Sequence, residues 1–391
     1  MKHVGIICEY NPFHAGHAYL LEQVREAECV VCMMSGNFTQ RGEAAVLPAH
    51  LRAEMALAAG ADLVLELPFP FAAGSARHFA TAGVRGLSAL GVDTLAFGSE
   101  SADGALLREI AKQTLTEEFN GRVAVAAKGK GEARVYFDAL SDTRLPPNDI
   151  LGVEYVRAIL EGGERIEIKP VRRIGAGYHD KDTSQSFPSA TGLREKLAGG
   201  EDITPDLPQC VQEVWQKAIA QGLAPADTAG LGSAMLARLR AESEYAETGR
   251  ETRFSDIAEC EGGLGAHLAR AALEATDYRS LCRAAATKQY TDGRIRRALL
   301  YLLAGVKRCD LLAPPAYLRL LAANERGRAF LAKTRKTRTV PVVTKPADVA
   351  ALGDAAVRAR ALAAICDGLY ALCLPRPILP TALATQPPVM L

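Results

Sequence analysis

Short apolar runs alternate with longer amphipathic stretches through the amino-terminal half of the chain. Val4–Cys8, Val30–Met34, Leu63–Leu67 and Thr94–Phe97 are each too short for a buried helix, and their near-continuous apolar character predicts strands covered on both faces. Between them, Ala18–Glu26, Pro48–Ala59 and Ser75–Leu90 read as helices. Strand–helix–strand alternation requires right-handed crossovers and gives a doubly wound parallel sheet, which binds ligands beyond the carboxyl ends of its strands. From about Ile203 the pattern changes to Ala/Leu/Arg-rich segments such as Leu264–Ala275, Tyr278–Ala286, Asp292–Leu303 and Ala350–Tyr370, and no strand is predicted there. Pro205 and Pro208 mark the change. The expected fold class is therefore α/β: a doubly wound parallel-sheet domain, Rossmann-like, over residues 1–202, followed by a mainly α-helical domain over 203–391.

Composition narrows the class. A chain of 391 residues exceeds what one hydrophobic core usually organises. Although 49% of residues are apolar, no uninterrupted run approaches the ~18 residues of a membrane span, and Met1-Lys2-His3-Val4 leads into the first strand without signal-peptide architecture. A cytoplasmic enzyme with no membrane association is expected, and no required protein partner is evident. The nine cysteines lack a disulfide-like spacing. Cys29 and Cys32 form a CxxC, but on a strand residues three apart face opposite ways, so core packing and no metal site is the reading there. Charge is uneven: between Ala285 and Lys345 fourteen Lys and Arg accompany three acids, in a chain of net charge +1. Such a block is the electrostatic footprint of nucleic-acid binding. Lys288, Tyr290, Arg294, Arg296, Arg297, Lys333, Arg335 and Lys336 are its candidate RNA contacts, Tyr290 serving either as a stacking surface or as a core tyrosine.

The chemistry sits behind the first strand. His14-Ala15-Gly16-His17 delivers two imidazoles and a glycine to a helix start, where free N–H groups and the helix dipole favour an anion. His14 and His17 can donate to an α-phosphate in its crowded, more highly charged transition state while Gly16 keeps a Cβ out of the way. Two unrelated loop histidines are the competing reading.

The longer string Gly5-Ile6-Ile7-Cys8-Glu9-Tyr10-Asn11-Pro12-Phe13-His14-Ala15-Gly16-His17 resembles the HIGH-type nucleotidyltransferase superfamily and, within it, the tRNA(Met) cytidine acetate ligase family. So do Ser35–Glu43, Asp62–Pro68, Phe97–Glu100, Pro147–Tyr155, Arg173–Asp180, Ser189–Arg194 and Thr287–Arg297, in the same order over nearly the whole chain. The resemblance implies that Gly5 to Tyr19, including Ala18, bind ATP together with Gly98, Asn148 and Arg173. It also implies a second phosphate motif with Ser189 or Thr191 at a helix start and Arg194 neutralising departing pyrophosphate. Gly192 departs from the superfamily, which often has a hydroxyl residue there. The alternatives are a turn glycine for Gly98, a helix cap for Asn148, a surface arginine for Arg173, and a plain cap followed by a solvent arginine for Ser189–Arg194.

A carboxylate substrate is ionised at pH 7 and needs no general base. By resemblance, acetate attacks the α-phosphate of ATP to give acetyl-adenylate and pyrophosphate, with His14, His17 and Arg194 stabilising the transition state and Mg²⁺ neutralising the leaving group. The acetyl group then passes to N4 of the wobble cytidine of elongator tRNA(Met). Glu9 either holds Mg²⁺ through water or orients a cation such as Arg41. The residues alone support ATP adenylyl transfer coupled to RNA. Adenylylation of a phosphorylated small molecule, or ATP sensing by a non-catalytic RNA-binding protein, are the other two readings.

Overall fold

The structure is a computed structural model that describes residues 2–126, 145–174, 188–242 and 254–391. The amino-terminal half contributes β1 (His3–Cys8), α1 (Ala15–Glu22), β2 (Cys29–Ser35), α2 (Ala49–Ala58), β3 (Leu63–Leu67), α3 (Ala76–Leu90), β4 (Thr94–Ser99), α4 (Gly104–Thr114), α5 (Glu117–Ala126), α6 (Pro147–Gly162), β5 (Glu167–Arg172) and α7 (Ala190–Ala198). Strands β1 to β5 pair in parallel in the order β5-β4-β1-β2-β3, as the alternating pattern predicts. Strand β2 shows why its sequence reads as one apolar run. Cys29, Val31 and Met33 enter the core beneath α3 and α6, while Val30, Cys32 and Met34 enter the core beneath α1 and α2, all nearly devoid of solvent contact. The two cysteines of the CxxC therefore lie in different cores.

The carboxyl-terminal half supplies α8 (Gln209–Ala220), α9 (Gly232–Arg240), α10 (Leu264–Ala271), α11 (Tyr278–Ala285), α12 (Asp292–Ala304), β6 (Leu318–Ala323), α13 (Glu325–Lys333), β7 (Val342–Val343), α14 (Asp354–Ala371), α15 (Pro380–Ala384) and β8 (Val389–Met390). Three of these are strands, where none is predicted. β6 runs antiparallel along β3 and carries β7 and β8. Its sequence, Leu-Arg-Leu-Leu-Ala-Ala, has neither alternation nor β-branched residues, and the other two strands are two residues each, so periodicity could not separate them from the surrounding helical pattern. The sheet thus draws on both sides of Ile203. Helices α9 to α12 and α14 build a third core around Met235, Leu268, Leu299 and Tyr370, into which Phe38 and Phe69 from the sheet's loops insert.

Candidate active site

At the carboxyl end of β1 the chain turns through Tyr10, in the left-handed region at φ +50° and buried, and enters α1 three residues earlier than the sequence pattern suggests. His14, not His17, is consequently the residue that caps the helix. The Gly16 N–H donates to His14 Nδ1 (3.0 Å), and the His14 N–H donates to His17 Nδ1 (3.3 Å), forming a capping box from two imidazoles whose ring centroids are 3.7 Å apart. Because each Nδ1 accepts, the proton of each neutral ring sits on Nε2. Burial, then the charges of Arg173 and Arg194, push His14 down to about 4. Burial, then His14 and Arg173, hold His17 well below its ordinary value. Both rings are therefore neutral hydrogen-bond donors at pH 7.

These rings open onto a cavity of about 510 Å³ at the carboxyl ends of β1, β4 and β5. Ile6, Ile7, Cys8, Glu9, Tyr10, Asn11, Gly16 and Tyr19 line it on one side, and Gly98, Asn148, Arg173, Ser189 and Arg194 on the other. Asn148 lies in the first turn of α6 rather than capping it. Its Nδ2 donates to Glu100 Oε1 (2.5 Å) and its Oδ1 accepts from Arg173 Nη1 (3.3 Å). The buried carboxylate of the next residue, Asp149, accepts from Ser99 Oγ and from the N–H groups of Glu100 and Ser101, which fixes α6 against the loop after β4. A Cβ on Gly98 would approach Arg173 Cγ to 3.3 Å, so the glycine lets that arginine lie against the strand end. Ser189 caps α7 by accepting from the Gly192 N–H (3.1 Å), and Arg194 donates to Asn11 O (2.7 Å) and Thr191 Oγ1 (3.2 Å).

Several expected ATP contacts are placed elsewhere. Gly5 packs under α3, where a Cβ would meet Leu87 Cδ1 at 2.6 Å, and it does not face the cavity. Pro12, Phe13, Ala15 and Ala18 are likewise absent from its wall, Phe13 being wholly buried in the core. Thr191 is exposed and its hydroxyl holds Arg194 instead of lining the cavity. Gly177 to Asp180 of the predicted motif lie outside the described residues.

Sequence reasoning missed what steadies the loop. Arg52 is fully buried, donates from Nε to Leu47 O (3.0 Å), and also reaches the carbonyls of Glu9 and Gly36, fastening the ends of β1 and β2 together. Gln40 and Arg41 also line the cavity, and the Gln40 N–H donates to Glu9 Oε1 (2.6 Å). Burial raises the Glu9 carboxyl above its ordinary value, against that hydrogen bond and nearby arginines. The one available signal was the polar string Ser35–Glu43 directly after a strand.

Comparison with known proteins agrees with this geometry. The HIGH Nucleotidyl Transferase family model matches residues 1–376. Relatives named tRNA(Met) cytidine acetate ligase include one from Syntrophotalea carbinolica, 42% identical over 88% of this chain and 85% of its own, and one from Anoxybacillus flavithermus, 36% identical over 88% and 89%. The crystal structure of Thermotoga maritima TmcAL bound with alpha-thio ATP superposes with a TM-score of 0.87 at 28% identity, covering all of both chains. The chain belongs to the HIGH nucleotidyl transferase family, among the tRNA(Met) cytidine acetate ligases.

The basic block expected to meet RNA is organised differently in this family member than its charge suggests. Tyr290 is buried and donates from its hydroxyl to Gly262 O (2.6 Å). Arg297 is buried against Glu259 (2.9 Å), Arg294 pairs with Glu259 (3.5 Å), and Arg296 pairs with Glu43 (2.6 Å). Tyr290 is thus the core tyrosine of the two readings, and the three arginines have acidic partners within the protein. Acids outside the block, Glu43 and Glu259, pair with these arginines, a pairing invisible when charges are counted in a window. Lys333, Arg335 and Lys336 are exposed, but α13 lies at the amino ends of the strands: Phe330 packs on His3, and Asn324 binds Asp62 (2.8 Å). They stand at the opposite edge of the sheet from the cavity. Lys288 is exposed in the turn before α12.

Proposed function

We propose that the chain is an ATP-dependent ligase that joins acetate to a cytidine of tRNA(Met), in two steps. The observation that carries this reading is one cavity uniting two neutral imidazole Nε2–H donors with Arg173 and Arg194 at the carboxyl edge of the sheet. Acetate, already a carboxylate, attacks the α-phosphorus of ATP; an O–P bond forms, the bond to the β-phosphate oxygen breaks, and pyrophosphate leaves. His14 and His17 donate to the α-phosphate oxygens as their charge grows, while Arg194, held by Asn11 O and Thr191, faces the leaving group. Neutral donors suit this step, because they gain hydrogen-bond strength as the oxygen charge builds and bring no fixed charge to be desolvated. The cytidine N4 amine then attacks the acetyl carbon, AMP leaves, and the amine gives up a proton. The delocalised N4 lone pair is a weak nucleophile, which is why activation by ATP is needed.

Mg²⁺ belongs to this proposal. Glu9 is the carboxylate among the described lining residues and, with one oxygen taken by the Gln40 N–H, would hold the ion through water, the ion's chemistry being to neutralise pyrophosphate. The tRNA substrate places the enzyme in the cytoplasm. No helix among the described residues is long and apolar enough to cross a membrane.

Incubation with ATP, acetate and total tRNA, followed by nucleoside analysis, tests the reading. N4-acetylcytidine together with AMP and pyrophosphate is the expected outcome. A dinucleotide formed from ATP and a phosphorylated small molecule, or no product at all, would overturn it.

A further inference from the structure

A second cavity, of about 260 Å³, lies on the same carboxyl edge of the sheet, beyond β3 and under α14. Glu66, at the end of β3, is two strands from β1, or about 10 Å across the sheet. The cavity has a charged floor and a cationic lip. On the floor, Glu66 and Asp367 both approach Arg319 Nη1, at 3.8 and 3.9 Å, too far for hydrogen bonds. Arg319 is committed elsewhere, donating from Nη2 to the carbonyls of Leu383, Ala384 and Gln386. Asp367 is 7% exposed and accepts from Asn37 Nδ2 (2.7 Å), whereas Glu66 has no hydrogen-bond partner among the described residues. The Glu66 carboxylate can therefore accept from a molecule in the cavity. At the lip, Lys345 and Arg360 are exposed and make no ion pair among the described residues. Tyr317 forms part of the wall.

The ATP chemistry does not use this arrangement. Anion-binding groups outside and hydrogen-bond acceptors inside match a phosphate with a base attached. The volume is below the ~300 Å³ at which drug-sized pockets begin, so it suits one base and not a dinucleotide. Burial, and then Glu66, push Asp367 up to about 7, and burial raises Glu66 as well, so the two carboxyl groups do not form a fixed pair of charges. Their oxygens accept, which complements a base that carries an exocyclic amine, a donor that uracil lacks.

We propose that this cavity reads a second unpaired nucleotide of the RNA substrate, a base with an exocyclic amine held by Glu66 and Asp367, with its phosphate on Lys345 and Arg360. The assignment rests on the tRNA ligase reading and deepens it. It places the RNA-reading groups beside the ATP cavity, where the exposed cations at the end of α13 and just after it are not.

Two variants test it, chosen at exposed or half-buried positions so that the fold survives. Lys345→Ala with Arg360→Ala removes the lip, and Ala363→Leu fills the cavity from α14. Both should keep wild-type acetate-dependent ATP–pyrophosphate exchange. Both should raise the KM for tRNA by about tenfold, and the lip variant should lower the salt slope of tRNA binding by roughly 0.7 to 0.9 for each phosphate that is no longer neutralised. With the ATP cavity filled by a non-hydrolysable ATP analogue, AMP and CMP should bind the wild type more tightly than UMP, should lose binding in the Ala363→Leu variant, and should compete with tRNA. Unchanged KM and tRNA affinity in both variants would overturn the proposal, as would AMP binding to the cavity without competing with tRNA, which would make it a site for a free nucleotide. The nucleotide-binding arm needs no turnover, so failure of wild-type acetylation would count against the ligase reading alone.

Discussion

His14 and His17 do two jobs with one ring each: Nδ1 closes the start of α1 and Nε2 faces the cavity. His17→Ala should lower ATP–pyrophosphate exchange by about 10²–10³, the loss seen when one oxyanion donor is removed, and should cost ~1 kcal/mol of stability through the lost capping-box bond from the His14 N–H. Exchange kinetics alongside thermal unfolding check both figures; near wild-type turnover would remove His17 from the mechanism. The lowered pKa values also fix a pH dependence. With His14 at about 4 and His17 well below ordinary, neither ring titrates in the range where a free histidine does. Exchange should therefore show no inflection between pH 6 and 8. For stability the sign is opposite to that of a charged pair. Between about pH 6.5 and 4 the unfolded chain takes up protons that the folded rings refuse, so the contribution of these histidines is present above 6.5 and is lost on acidification. Protonation would also put a hydrogen on Nδ1 and break the cap. At this scale the helix start bearing two imidazoles was legible from residue type and spacing, because a strand followed directly by His14 and His17 brings both rings to one helix terminus. Gly5 and Thr191 were not, since a motif cannot tell a residue that faces the ligand from one that packs behind it.

Among elements, α12 has the charge of an RNA surface and the contacts of a strut. Its Arg296 pairs with Glu43 at 2.6 Å, and Gly42, at φ +74°, lies so close that a Cβ would sit 2.6 Å from Arg297 N. The turn they grip runs from Thr39 to Glu43, and its Gln40 and Arg41 face the ATP cavity. Gln40 in turn holds Glu9. Arg296→Ala should therefore reduce acetate-dependent exchange in the absence of tRNA, by about tenfold, and Gly42→Ala should do so more strongly while costing on the order of 1–3 kcal/mol of backbone strain. Exchange assays without RNA decide the matter, since a purely RNA-binding arginine would leave that rate untouched. The sequence misleads here because it is local. Charge within a window looks uncompensated when Glu43 and Glu259 lie outside it, and only the fold brings them to α12. Strand β6 escaped for a similar reason: it is made a strand by β3 beside it, not by its own pattern of side chains.

At the scale of the whole molecule, the expected division at residue 202 makes a clear prediction about folding. A fragment of residues 1–202 keeps five parallel strands and the ATP cavity, and on sequence pattern alone it reads as a domain. In the structure, however, β3 would be left as an open edge, because its outer partner β6 comes from the second half. Leu321 and Ala322 would be missing from one core, Leu318, Leu320 and Phe330 from the other, and Trp215 of α8 would no longer cover α2. The Asp62 carboxylate, which receives Asn324 Nδ2 (2.8 Å) as well as the Val30 N–H (2.8 Å), would lose one of its two donors. An apolar edge such as Leu-Val-Leu-Glu-Leu with unpaired N–H and C=O groups is a template for association. The fragment should therefore aggregate or remain only partly folded, and should not support exchange. Extending it with a covalently joined segment 316–391 should restore a monomer with a cooperative unfolding transition, even without the helices of the third core. Sedimentation and circular dichroism of the two fragments distinguish the cases, and a monomeric, cooperatively folded 1–202 would show that the sheet is complete without β6.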